Sequence, residues 1–396
     1  MALASKRNRI MNRSRVLRVI WRQPLLSRID VANVLGLDKS TVSVVVNELV
    51  ELGVIEEVAI GDASPQGGRR PVQLQIKQDF GSVLGLELQP GFYRAALCDL
   101  HGQIQRQWSG PGRNTEEDFA TYLLNLIHGI MTDLGSNQTS VIGIGVAMGG
   151  LINSVQNIIT GSIPMGLENF QFQQEVANKL SIPIVAENDA NACAWGELTF
   201  HRTSDIHNFL YVYLQIHPSS SRPVVYGGIG VGLGLVINGT IFPGATFTAG
   251  EFRSAFWEEG RSGQFSLSDQ DALLVTKDAK IRKKLFRELA KNLAVIINVV
   301  NLSHVFIGGD VLGYDQELTP IIKDELQKNW PYDTPPVCEI HYSTFGDQAV
   351  AYGAAGMMLD RLFSDQIFPL GDIRNRHGRD EILSEFNETI VRLGER

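Results

Sequence analysis

The chain of 396 residues has little cysteine: Cys98, Cys193 and Cys338 lie far apart and form no CxxC pair. That excludes a disulfide framework and suits a reduced, cytoplasmic compartment. Long hydrophobic runs are missing too. The most apolar stretch, 293–302, falls well short of the roughly 18 residues that suggest a membrane helix and reads as a buried helix. The basic N-terminus has no uninterrupted apolar segment, so no signal peptide is expected. Basic charge is scarce overall. The 35 Lys and Arg against 43 Asp and Glu leave a net charge of −8, which is not that of a chain coating nucleic acid along its whole length.

What basic charge there is gathers at one end. Residues 1–78 hold 12 Lys and Arg and 7 Asp and Glu, a net of +5, and the remainder carries −13. Counterion release from a phosphate backbone is therefore available to a small N-terminal domain, whereas the acidic remainder would be repelled. The length allows two or three domains.

Residues 26–52, LLSRIDVANVLGLDKSTVSVVVNELVE, have the pattern of a helix-turn-helix. Ser27 and Asp30 are spaced as a capping box, with Leu26 placed to staple onto Val31. A first helix with Ile29, Ala32 and Leu35 on its buried face is expected to end at Gly36. Asp38 is the expected N-cap of a second helix over about 39–52, where Val42, Val45, Val46, Leu49 and Leu52 recur at helical spacing. Lys39, Ser40, Thr41, Ser43, Val44 and Asn47 are left outside. Short polar, basic and methyl-bearing side chains near a helix N-terminus suit phosphates, base edges and thymine methyls of double-stranded DNA. An ordinary helical hairpin is the plain alternative, but caps, turn length and exposed chemistry agree on DNA.

The flanks fit this reading. Lys6, Arg7, Arg9, Arg13, Arg15, Arg18, Arg22 and Arg28 all precede the first acid, Asp30, and Ile10, Leu17, Ile20 and Trp21 form a candidate buried stripe. Residues 54–58 and 72–76 read as two strands around GDASPQGGRRP, the pattern of a wing. Arg69 and Arg70 are suited to a narrow minor groove; a solvated linker is the other reading of that loop.

From Phe80 the pattern turns to α/β. Strands are expected at 83–89, 93–100 and 103–108, then a helix at 116–134, a strand ending in Gly149 and Gly150, a helix at 172–180, the strand IPIVAEND and a helix at 190–199. A second series follows: FLYVYLQI, the glycine-rich YGGIGVGLGLVINGTIF, a long helical region at 269–301, the strand HVFIGGDV, and helices at 318–328, 349–363 and 380–393. Two successive α/β halves imply two lobes with a cleft outside the strand ends.

The order of helix-turn-helix, GGRRP wing, GLELQPGFYRAALCDL, GIGVAMGGLI, AENDANACAWGE, GIGVGLGLVINGTIFPGA, AGEF and VFIGGD resembles the ROK family over nearly the whole chain. That family joins sugar kinases and sugar-responsive repressors, and the KSTVS helix and GGRRPV wing are most similar to its xylose-type repressors. The resemblance implies an α/β chain with an N-terminal winged helix-turn-helix at 1–79 and a two-lobed, actin-like fold. Its lobes would span 80–192 and 193–379, with a helix at 380–396 joining the first.

The resemblance also implies site residues. Asn188 and Asp189 match the family's sugar-binding pair, in which the Asp is the base of the kinases; here it is expected to be inactive. Glu251 matches a sugar-binding Glu, and Gly150 a glycine near the sugar. A carboxylate beside an amide can hold adjacent hydroxyls. The bland alternatives are Asp189 as a helix N-cap and Glu251 as a loop carboxylate.

Departures narrow the expectations. The kinase pattern DxGGTK reads Glu87, Leu88, Gln89, Pro90, Gly91, Phe92 here, and GTGxGxG reads Gly228, Ile229, Gly230, Val231, Gly232. Proline offers a phosphate no N–H, so neither ATP nor a catalytic residue is expected. The family's histidine after Glu-x-Gly is Ser254, and 257–269 contains no Cys or His where its zinc cluster would lie; a structural zinc needs about four N or S ligands, so no metal is expected. The sugar loop Asn-Leu-x-Gly-Trp is replaced by Ile163, Pro164, Met165, Gly166 and Leu167. The expected function is a dimeric repressor on a palindromic operator, released by a sugar in the cleft, with repression implied by the resemblance alone. A sugar kinase with an appended DNA-binding domain and a regulator governed by a partner protein remain the rival readings.

Overall fold

The structure is a computed structural model that describes residues 2–60, 72–135, 140–201, 206–216, 228–334 and 336–363. The wing loop with Arg69 and Arg70, and the expected helix at 380–396, lie outside the described residues.

The N-terminal head comprises α1 (Ala2–Arg22), β1 (Leu26–Ser27), α2 (Arg28–Leu35), α3 (Lys39–Glu51), β2 (Ile55–Ile60) and β3 (Val72–Ile76). Its strands form a sheet in the order β1-β3-β2, with Ile55 opposite Ile76. Leu17 and Ile20 of α1, Val31 of α2, Val42, Val46 and Leu49 of α3, and Leu74 of β3 share one buried core. The capping box is formed: Ser27 N donates to Asp30 Oδ2 at 2.9 Å, and Asp30 N to Ser27 Oγ at 3.3 Å. Gly36 ends α2 at φ 61°.

Two local expectations fail. Ile29 is 52% exposed. The short helix buries Val31 and Ala32 with Leu35 packed beside them, and at 3.6 residues per turn Ile29 falls off that arc. Asp38 occupies the N-cap position of α3, yet its side chain makes no capping bond.

The larger part begins with an antiparallel run, β4 (Ser82–Gln89), β5 (Phe92–Asp99) and β6 (Ile104–Pro111). Then come α4 (Phe119–Leu134), β7 (Val141–Met148) and the short strands β8 (Leu151–Asn153), β9 (Ile158–Ser162) and β10 (Leu167–Phe170). α5 (Phe172–Glu175), β11 (Ile184–Asn188) and α6 (Asp189–Phe200) complete the first series. The second contains β12 (Phe209–Ile216), β13 (Ile229–Ile237), β14 (Thr240–Ile241), α7 (Asp269–Ala272) and α8 (Ala279–Val300). It ends with β15 (His304–Gly309), α9 (Asp315–Lys328), β16 (Glu339–Tyr342) and α10 (Ala349–Phe363). Each lobe is built on a five-stranded sheet, β11-β7-β4-β5-β6 in the first and β14-β13-β12-β15-β16 in the second.

Three expected helices are shorter than anticipated. The one at 172–180 is α5 followed by a 3-10 turn, because Val176 leaves helical geometry at φ −126°. The long region at 269–301 divides where the Asp278 side chain accepts from Lys280 N and Ile281 N and so starts a new helix. Asp118 likewise caps α4 through Thr121 N at 2.8 Å, so that helix begins at Phe119.

α10 is the packing centre. It lies between the first sheet and α6 at distances only glycine allows: a Cβ on Gly85 would come within 1.9 Å of Ala351 O, and one on Gly353 within 1.9 Å of Ala192 O. The head docks on the same helix. Trp21 Nε1 donates to Leu100 O at 2.8 Å, its ring lies 5.1 Å from that of Phe363, and Arg22 pairs with Asp360 at 3.1 Å. His101 Nε2 meets Ile76 O at 2.8 Å, and Gln78 Nε2 donates to Asp99 Oδ2 at 2.6 Å.

Candidate functional site

Two surfaces carry chemistry, and the first is the outer face of α3. Lys39, Ser40, Val44 and Asn47 are exposed, and Thr41 and Ser43 are half-buried beside them. The uncapped start of α3 leaves backbone N–H groups pointing outward, where the helix dipole favours an anion. Arg28, the first residue of α2, donates to Asn47 Oδ1 at 2.7 Å and pairs with Glu57 at 2.8 Å. Bidentate reading of adenine needs that same oxygen as an acceptor, so Arg28 orients Asn47 and shares its carbonyl. Sequence reasoning placed Arg28 among the flanking cations and missed this contact. On another side of α3, Arg9 and Arg13 clasp Glu48 at 2.7 and 3.1 Å. Burial alone would raise the Glu48 carboxyl, but these two guanidiniums outweigh it and hold the group below its ordinary value.

The second group of residues gathers at the end of β11 and the start of α6, where the resemblance places the cleft. Asn188 is the N-cap of α6: its Oδ1 accepts from Ala190 N at 2.9 Å and Asn191 N at 3.1 Å, while Nδ2 donates to Gly150 O at 3.0 Å. The amide thus braces the turn that holds Gly150. There φ is 139°, and a Cβ would come within 2.4 Å of Gly161 O. Asp189 is the first residue of α6, so the capping role belongs to its neighbour. Its carboxyl is pushed up to about 6, first by burial and then by the Glu251 carboxylate. Glu251 is exposed and bridged through its backbone to Gly232, and desolvation raises its carboxyl as well.

Behind Asp189 lies Glu87, fully buried in β4. Burial pushes its carboxyl up to about 7 against the pull of Arg94, which stands 3.4 Å away, and Asp189 adds to the rise. Gln89 reaches both acids: its Nε2 donates to Glu87 Oε1 at 3.4 Å, and it hydrogen-bonds Asp189. Sequence reasoning treated Glu87 and Gln89 only as departures from a kinase pattern. The available signal was an acid within the otherwise apolar VLGLEL.

The second glycine turn is also occupied by the protein itself. Residues 229–237 run as a strand along β12, and Gln264 Oε1 accepts from Val231 N at 2.6 Å.

Both regions fall within stretches that match known protein families. Residues 84–253 match the ROK family, and residues 12–56 match a winged helix-turn-helix DNA-binding domain. The chain carries a ROK family domain behind an N-terminal winged helix-turn-helix. It is 28% identical over 312 residues to the xylose repressor of Bacillus subtilis (strain 168), covering 76% of this chain and 77% of that one. In fold it is similar to a ROK family transcriptional regulator described as a homolog of the E. coli MLC protein. That match has a TM-score of 0.73 and 20% identity, over 97% of this chain and 98% of the other. The ROK domain alone resembles a ROK family glucokinase from Streptomyces griseus solved with glucose and AMPPNP, with a TM-score of 0.55 and 18% identity over 70% and 99% of the two chains. Among the described residues, no helix of this chain is long and apolar enough to cross a membrane.

Proposed function

We propose that this protein is a cytoplasmic, homodimeric repressor of sugar-utilisation genes that a sugar releases from DNA. The observation that carries the reading is one chain holding both an exposed α3 face of phosphate- and base-type side chains and a cleft floored by Asp189. Lys39, Ser40, Thr41, Ser43, Val44 and Asn47 would meet a major groove, with Arg69 and Arg70 of the wing in the adjacent minor groove. Two heads would take the two half-sites of a palindrome. Asp189 and Glu251 would accept hydrogen bonds from neighbouring sugar hydroxyls beside Gly150, in a turn braced by Asn188. A sugar that binds one lobe arrangement better than the other shifts the protein toward it. Because the head is docked on α10 and the first lobe, the two DNA-reading surfaces move with that shift.

Phosphoryl transfer is disfavoured. The position where a kinase turns toward ATP phosphates on two glycines holds the bulky Gln89 and the N–H-lacking Pro90. At the second glycine turn, Gln264 occupies Val231 N. No ATP and no catalytic role for Asp189 are proposed.

The test is operator retention. Protein bound to DNA from upstream of its own gene and of neighbouring sugar genes is titrated at fixed salt with xylose, glucose, other monosaccharides and their phosphates. Release by one sugar, lost in Asp189→Ala while DNA affinity is kept, is the expected result. Absence of any sequence-specific binding refutes the repressor, and ADP formation with a sugar and ATP refutes the non-enzymatic reading.

A further inference from the structure

The second lobe gathers three metal-type ligands at its outer sheet edge. Glu339 and His341 are two apart on the edge strand β16 and therefore point to the same face. β15 runs parallel beside it, with His304 opposite Glu339 and Phe306 opposite His341. This register brings His304 Nδ1 to 3.0 Å from His341 Nε2, with Glu339 Oε2 at 4.0 Å from the first ring and 3.6 Å from the second. Phe306 stacks on the His341 ring at 4.9 Å and 23°, which limits its rotation.

A hydrogen bond between the two rings is the simplest use of this pair. It leaves the Glu339 carboxylate beyond hydrogen-bond reach of both. A cation employs all three. Ligands about 2.0–2.2 Å from a tetrahedral zinc lie about 3.4 Å from one another, and the observed separations bracket that value. The two rings are partly buried while Glu339 is exposed, so solvent can supply the remaining ligand.

We infer that His304, Glu339 and His341 bind one divalent transition-metal ion, with zinc as the type, in a site of two imidazoles and one carboxylate with an open fourth position. Imidazole with carboxylate suits zinc and its neighbours rather than calcium or magnesium. The ion ties the edge strand β16 to β15. It lies far in sequence from 257–269, where the family's zinc cluster would be and where neither Cys nor His occurs. The inference does not depend on the DNA or sugar reading.

Tag-free full-length protein is stripped with chelator and titrated with cobalt(II), followed by displacement with zinc(II). One equivalent per chain with the intense visible absorption of tetrahedral cobalt, displaced by zinc, is expected. Glu339→Gln, at an exposed position that leaves folding intact, should weaken binding about tenfold or more, and the His304→Gln/His341→Gln pair should remove it. Zinc should also raise the melting temperature of wild type but not of Glu339→Gln. No saturable uptake by wild type, or uptake undiminished in Glu339→Gln and in the double variant, overturns the site.

Discussion

The buried acid Glu87 contributes a loss of stability as pH rises from about 4.5 to about 7. Its carboxyl titrates at 4.5 when exposed and near 7 when folded. Below 4.5 it is protonated in both states and contributes no penalty. Between the two values the unfolded chain gives up its proton while the native state keeps it, so stability drops. Above 7 both forms are ionised and the loss is complete. At about 1.4 kcal/mol per pH unit, the loss is about 3 kcal/mol. Glu87→Gln keeps the shape and mimics the protonated form. It should match wild type at pH 4 and exceed it by about 3 kcal/mol at pH 8. Urea unfolding of both proteins at several values across pH 4–8 reads the difference directly. Parallel curves, or a variant weaker than wild type at pH 8, would show that Arg94 and Gln89 hold the carboxylate ionised, and the account of the cleft would fail.

Three further outcomes follow from single contacts. Asn47→Ala should relax base preference at one operator position by about 1–3 kcal/mol; binding to a panel of operator variants reads this, and an unchanged preference removes Asn47 from the interface. Trp21→Ala deletes a ring that is 3% exposed between head and body and should cost about 3–5 kcal/mol, seen in urea unfolding together with faster proteolysis between head and body; a loss under about 1 kcal/mol would refute the tight seam. Gly353→Ala places a methyl 1.9 Å from Ala192 O and should lower the melting temperature through about 1–3 kcal/mol of overpacking; an unchanged melting temperature means α6 and α10 are not that close.

Much of the fold was legible because it is written in local periodicity. The valines of α3, the near-continuous apolar runs of β4 and β12, and the caps at Ser27 and Gly36 each act over a few residues. What escaped depends on distant neighbours. Ile29 looks core-facing until the arc buried by Val31 and Ala32 is known. The strands β8 to β10 and β16 are short, and their pairing is set by partners rather than by their own pattern. In the cleft, Asn188 and Asp189 stand out through resemblance, but which of them caps α6 is a matter of backbone geometry. Glu87 acquires its character only from the sheet and from Asp189, which arrives from a hundred residues downstream. His304 and His341 meet only because α9 returns the chain alongside β15.

The seam at Trp21 has a bearing on how such proteins can be recombined. Chain connectivity suggests cutting near residue 79, at the end of the connector. The contacts suggest otherwise, because Trp21, Arg22 and Ile76 on one side are matched to Leu100, His101, Asp360 and Phe363 on the other. A foreign head spliced on at the connector brings its own counterpart to Trp21 and finds a socket shaped for an indole. Exchange of DNA specificity between relatives is therefore easiest by replacing the outer face of α3 while leaving α1 in place. The graftable unit is a strip of surface rather than a domain.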